Sequence, residues 1–157
     1  MAQQGFQVST VIQEKCLKMA LKGAINEDAD LNQIPQTGFL EYYFDFNDVT
    51  LINSCGIRDW IGFLDKLGPK VKIVYARCPQ IIIEQINMVQ GFLRPNATIE
   101  SFYAPYYCEH HDEEKKILLK VNEVKGRKAP KKNCPESGEE MEFDAIEEQY
   151  FYFIKGQ

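Results

Sequence analysis

The sequence predicts an α/β fold: a mixed β-sheet with helices packed on it over residues 5–103, followed over 104–157 by a small β-rich ribbon. Three observations carry this prediction. Residues 40 to 93 run strand, helix, strand, helix, which implies a right-handed crossover onto a common sheet. VKIVYARC is nearly continuous apolar material, as a central strand covered on both faces requires. After residue 103 the pattern gives way to cysteine, histidine, a basic turn and a cluster of aromatic residues.

The elements follow in order. Phe6, Val8, Thr10 and Ile12 alternate with polar partners, and CLKMALKGAI supplies the second strand of a hairpin. FLEYYFDF places Leu40, Tyr42, Phe44 and Phe46 on one strand face. In the next segment, LINSCGIRDW and its continuation, Ile57, Trp60, Ile61, Leu64 and Leu67 share one helical sector, with Arg58, Asp59, Asp65 and Lys66 outside it. Gly68-Pro69 stops that helix. A second helix follows Pro79, turning Ile82, Ile86, Val89 and Leu93 inward, with Ile81, Met88 and Phe92 as an extra stripe for an added segment to cover.

Composition narrows the function classes. With 157 residues, 45% apolar and ten Phe, the chain can bury one full core with a small satellite beside it. No apolar run is long enough to span a bilayer and the start lacks a secretory layout, so a soluble, cytoplasmic protein with no membrane partner is expected. Five cysteines without an export signal favour reduced thiols or metal ligands over a disulfide framework. The net charge of -5 exerts no overall pull toward nucleic acid, although residues 115 to 132 hold eight Lys or Arg and 136 to 148 hold seven acidic residues. Within KGRKAPKK no aromatic residue is interleaved to stack bases, and a solvated, flexible hairpin tip is the reading.

The stretch from YYFDF through NSCGIRDW to INMVQGF resembles the STAS domain family, of the anti-sigma factor antagonist type, over roughly residues 5 to 103. Its anchors are Asp48, the Asn53-Ser54-Cys55-Gly56 turn, the following helix and the Gly91 region. The resemblance implies a non-catalytic protein-binding module in bacterial-type signalling or transcription control, with a kinase-like anti-sigma factor as partner. It also implies a phosphoacceptor serine directly before the turn glycine, where this chain has Cys55, and a leading aspartate where it has Asn53. The usual phospho-switch is thus lost at its own position. Ser54 is expected to cap the helix, accepting a first-turn N–H. The partner face comprises Asn53, Ser54, Cys55, Gly56, Arg58, Asp59, Gly62, Phe63 and Lys66, with Gly62 and Phe63 at the edge of the apolar sector.

Cys55 near a helix N-terminus would gain thiolate character, yet no elbow, C-x-x-C pair or nearby imidazole accompanies it in sequence, so no catalytic role is read. Cys16 and Cys78 are read as core. Beyond residue 103, Cys108 begins C-x-x-H with His111, and Cys134 begins C-P-E-S with Ser137. This resembles a zinc ribbon with two of its four positions altered: His111 is an allowed ligand and Ser137 a poor one. His110 is the nearby candidate to replace Ser137. EMEFDAIEEQYFYFI is similar to the closing strand and aromatic tail of such a ribbon. The expectation is a ribbon that holds its shape through Tyr106, Phe143, Tyr150, Phe151 and Phe153, with no cofactor or zinc only weakly held by Cys108, His111 and Cys134. The alternative function is a small metal-binding or nucleic-acid-binding module on the same scaffold.

Overall fold

The computed structural model describes residues 5–155. Strand β1 (Gln7–Gln13) forms an antiparallel hairpin with β2 (Cys16–Ile25), and β3 (Glu41–Ile52), β4 (Lys72–Ala76) and β5 (Ala97–Ile99) then add in parallel, giving the order β1-β2-β3-β4-β5. Helix α1 (Ser54–Leu67) joins β3 to β4, and α2 (Gln80–Met88) lies between β4 and β5. A second sheet, antiparallel, has the order β7-β6-β8, from β6 (Ser101–Cys108), β7 (Glu113–Lys120) and the two-residue β8 (Glu142–Phe143). A short helix α3 (Glu147–Tyr150) completes the chain of elements. The class is therefore mixed α/β, with a mixed sheet and three α-helices among the described residues. No helix among the described residues is long and apolar enough to cross a membrane.

Strand β4 lies one in from the sheet edge rather than at its centre, and it is covered as its composition requires: Ile73, Val74, Tyr75 and Ala76 are all buried. On β3 the period of two puts Tyr42, Phe44 and Phe46 against α1, where Phe44 and Phe46 meet the Trp60 ring at centroid distances of 5.0 and 5.5 Å. The Trp60 indole N–H donates to the Tyr75 hydroxyl (3.0 Å), which donates to the Phe92 carbonyl (2.7 Å), so the polar ends of two buried rings are satisfied inside the core. On the opposite face of β3, Tyr43 donates to Glu100, Asp45 pairs with Arg77, and the Tyr103 hydroxyl donates to Asn47.

Several expectations are corrected by packing. Leu40 lies before β3 and is exposed, and the hairpin edge leaves Ile12 exposed as well. The buried sector of α1 is Gly56, Trp60, Phe63, Leu64 and Leu67, so Ile57 and Ile61 are only partly buried and the sector is rotated toward Phe63. Phe92 is not part of an outer stripe but a fully buried ring against Trp60 and Tyr75. Met88 is exposed. Cys78 is buried, whereas Cys16 is half-buried and donates to Glu41 at 3.0 Å. Burial and that carboxylate push the Cys16 thiol up to about 11.

The two sheets meet at β6. Cys78 forms a parallel bridge with Phe102, the Cys78 N–H donates to the Ser101 carbonyl, and one buried core runs from Leu17 through Trp60 and Phe102 to Phe151 and Ile154. EMEFDAIEEQYFYFI does open with a closing strand, the short β8 paired with β6, and the residues after it are helix and turn. Phe143, Tyr150, Phe151 and Phe153 nevertheless pack as expected, Phe151 stacking on Phe143 and Phe153 meeting Phe102 edge-on. The Asn87 amide donates to the Tyr150 carbonyl at 2.9 Å, tying α2 to α3.

Candidate functional site

Two assemblies concern function: the turn and outer face of α1, and the thiol–imidazole cluster of the second sheet. The turn follows β3 directly. Asn53 has extended backbone (φ -114°, ψ -179°), so it is the residue whose side chain caps the helix, accepting the Gly56 N–H at 2.9 Å. This replaces Ser54 as the cap. Ser54 is instead the first helical residue and is exposed. The Asn53 amide also donates to Glu27 (2.8 Å) and holds that carboxyl below its ordinary value.

Gly56 is required by close approach. A Cβ at this position would lie 1.9 Å from the Ile25 carbonyl oxygen at the end of β2, so the helix start can sit against the sheet only without a side chain there. Gly56 is consequently buried behind the partner face that the sequence reading drew, and Phe63, also buried, reaches that face only at one edge. Cys55 is half-buried. The remaining residues of that face do come together: Arg58, Asp59, Gly62, Lys66 and one side of Phe63 line a groove of about 460 Å³.

The far wall of the groove was not read from the sequence. It is formed by Ala29, Asp30, Leu31 and Asn32, where a single 3-10 turn, Leu31–Gln33, is capped by the Asp30 carboxylate accepting the Asn32 N–H at 3.0 Å. The only local signal is the aspartate two residues ahead of its target. A second groove, about 700 Å³, lies between α2 and the tail, with Met88, Arg127, Ile146, Tyr150 and Tyr152 among its walls.

The second assembly joins residues far apart in sequence. Cys108 ends β6, and the turn leading into β7 carries His111, whose Nδ1 lies 3.3 Å from the Cys108 sulfur. Cys134 sits in a tight hairpin closed by the Asn133–Glu140 bridge, its sulfur 3.6 Å from the same Nδ1. The Ser137 hydroxyl is 3.9 Å from the Cys108 sulfur. Thus Cys108, His111 and Cys134 converge, as a ribbon requires, and Ser137 occupies the fourth corner. Both cysteines are buried. The Ser137 backbone N–H and hydroxyl, with the Glu136 N–H and the Cys108 thiol, bring the Cys134 thiol down to about 6. His110 does not replace Ser137: it is exposed and faces Glu139 at 3.9 Å.

The basic turn is also more constrained than its composition indicates. A tight turn does form at Gly126 and Arg127, both with positive φ. Its arms are pinned, since Arg127 donates to the Ile154 carbonyl (3.2 Å), Ala129 donates to Glu147, and the Tyr106 hydroxyl donates to the Pro130 carbonyl. Lys115–Glu136, Lys128–Glu147 and Lys131–Glu140 pair the basic stretch with the acidic one. A scan of protein-family models gives no match to the chain, and neither does a search of the curated proteins.

Proposed function

We propose that the chain is a non-catalytic protein-binding module of STAS type in bacterial-type signalling or transcription control, with a kinase-like anti-sigma factor as its partner class. The groove along the outer face of α1 carries the reading: Arg58, Asp59 and Lys66 of the helix that follows the capped turn line it, facing Asp30 and Asn32 across it. Mixed charge around a small apolar floor suits a protein surface, and charged groups at such a rim set encounter rate and partner choice. A non-catalytic role is supported by where the imidazoles go. His111 faces Cys108 and Cys134 and His110 faces Glu139, so neither attends Cys55.

The test uses the full chain as an affinity ligand for the cellular proteins, with Arg58→Glu/Lys66→Glu as the altered face and Met88→Ala as a control in the other groove. The expected result is capture of a kinase-like protein by the wild type and the control, weakened at least about tenfold by the charge reversal. Equal capture by the double variant would remove the groove from the reading. Incubation with the captured protein and ATP should leave the 53–56 turn unmodified by phosphate. Stoichiometric phosphate on Ser54 would overturn the loss of the switch.

A further inference from the structure

We propose that Cys108, His111 and Cys134 form a zinc site with three protein ligands and a fourth position, beside the Ser137 hydroxyl, filled by water. The inference is independent of the partner surface on α1. It differs from what Ser137 alone leads one to expect, namely a ribbon with little affinity for metal.

The distances come first. In tetrahedral zinc with Zn–S near 2.3 Å and Zn–N near 2.0–2.1 Å, sulfur and nitrogen ligands stand about 3.6 Å apart. The two separations here are 3.3 and 3.6 Å, and all three ligand atoms lie within 4.8 Å of one another. The Cys134 sulfur also accepts from the Ser137 N–H and hydroxyl, but the imidazole between the two sulfurs cannot bond to both. His111 Nδ1 offers either one lone pair or one proton, so it can serve one sulfur and leaves the other without it. A cation between the three atoms serves all of them.

Backbone hydrogen bonds position the ligand residues. Cys108 is the last residue of β6, paired with Glu113 across the turn that carries His111. The Cys134 N–H donates to the Glu139 carbonyl (2.8 Å), and the Gly138 N–H donates back to the Cys134 carbonyl (2.9 Å) with Gly138 at φ +77°. The hairpin therefore presents the sulfur of Cys134 toward β6. The imidazole is oriented from its far side as well: His111 Nε2 lies 3.5 Å from Glu136, and Glu136 is itself held by Lys115 at 2.8 Å. A carboxylate behind a ligating imidazole fixes ring orientation and raises ligand basicity.

The donor set selects the ion. Two thiolates and one neutral imidazole are the soft and borderline ligands that favour zinc over hard cations, and a divalent ion would neutralise the charge of thiolates on two cysteines that are 1% and 2% exposed. The Ser137 hydroxyl stays protonated near neutral pH and is a weak donor, so its corner is left to water.

Metal analysis of the full chain purified without chelator, together with cobalt(II) as a spectroscopic probe, tests the site. About one zinc per chain is expected, and cobalt should give tetrahedral d–d bands with thiolate-to-metal charge transfer. Ser137→Cys should tighten zinc at least about tenfold in competition with a chromophoric chelator, since it completes a closed four-ligand site. Cys134→Ser should lose the charge-transfer intensity in part and weaken binding. Should that variant fail to fold, the wild-type cobalt spectrum and the Ser137→Cys comparison decide the matter. Failure of the wild type to take up zinc or cobalt in molar excess would overturn the proposal. So would zinc binding by Ser137→Cys alone, or a Cys108–Cys134 disulfide in the protein as isolated.

Discussion

The first sheet and the second are stabilised by different means. Around α1, Phe44, Phe46, Trp60, Tyr75 and Phe92 form a continuous cluster of aromatic rings between a helix and long parallel strands, and the polar atoms of Trp60 and Tyr75 are closed off by two internal hydrogen bonds. Around β6, the strand partner β7 is mostly exposed and β8 spans two residues, so little apolar area is available. That region draws instead on the tail aromatics, on ion pairs between its basic and acidic stretches, and on a side-chain cluster of two thiols and an imidazole. A small sheet that cannot fill a core needs such cross-links. Because Phe102 belongs to both regions, the two are joined by packing rather than by a linker.

The sharpest way to break the comparison is to damage the aromatic side and observe the other. Trp60→Ala should cost about 3–5 kcal/mol, through the lost ring and the lost donor to Tyr75. The chain has one tryptophan, at position 60, so wild-type fluorescence reports the first region while far-UV circular dichroism reports both. In urea the two signals should move together, and Trp60→Ala should shift the circular dichroism transition as a single step. Separate transitions would mean that the shared core does not couple the regions.

Two glycines of α1 sharpen it further, because the same substitution should act with opposite sign. Gly56→Ala forces a methyl into the Ile25 carbonyl and should destabilise by about 3 kcal/mol. At Gly62 no atom lies within 4 Å of the added methyl, and alanine should stabilise the helix by about 0.5–1 kcal/mol. Equal denaturation midpoints for the two variants would remove the close approach of α1 to β2 from the account.

The smallest expected effect belongs to the second region. Lys132 and the Lys120 N–H hold the Glu123 carboxyl below its ordinary value, so this group is more acidic folded than unfolded. Its stabilising contribution is complete above the unfolded value of about 4.3 and disappears as pH falls through the folded one. Both side chains are about a third exposed, which limits the effect to under about 1 kcal/mol. Thermal melting of Glu123→Gln should show a deficit at pH 7 that closes in acid, and a constant deficit would assign the loss to something other than charge.

The sequence by itself determined the succession of elements, the doubly covered strand at Ile73–Ala76, the helix after the Asn53–Gly56 turn with Trp60 on its buried side, and the ligand-type spacing of Cys108, His111 and Cys134. These follow from periodicity and local spacing, which need no partner. Only the tertiary structure decided which of two neighbouring polar residues caps α1, because capping depends on the extended backbone that the β3 exit imposes on Asn53. It also decided that Phe63 faces inward: the helical sector available for burial is set by where β3 presents Phe44, and Phe63 meets that ring edge-on while Ile57 and Ile61 stay half-covered. Cys108 and Cys134 face one imidazole for the same kind of reason. Strand register and a hairpin turn bring together groups that sequence distance keeps apart.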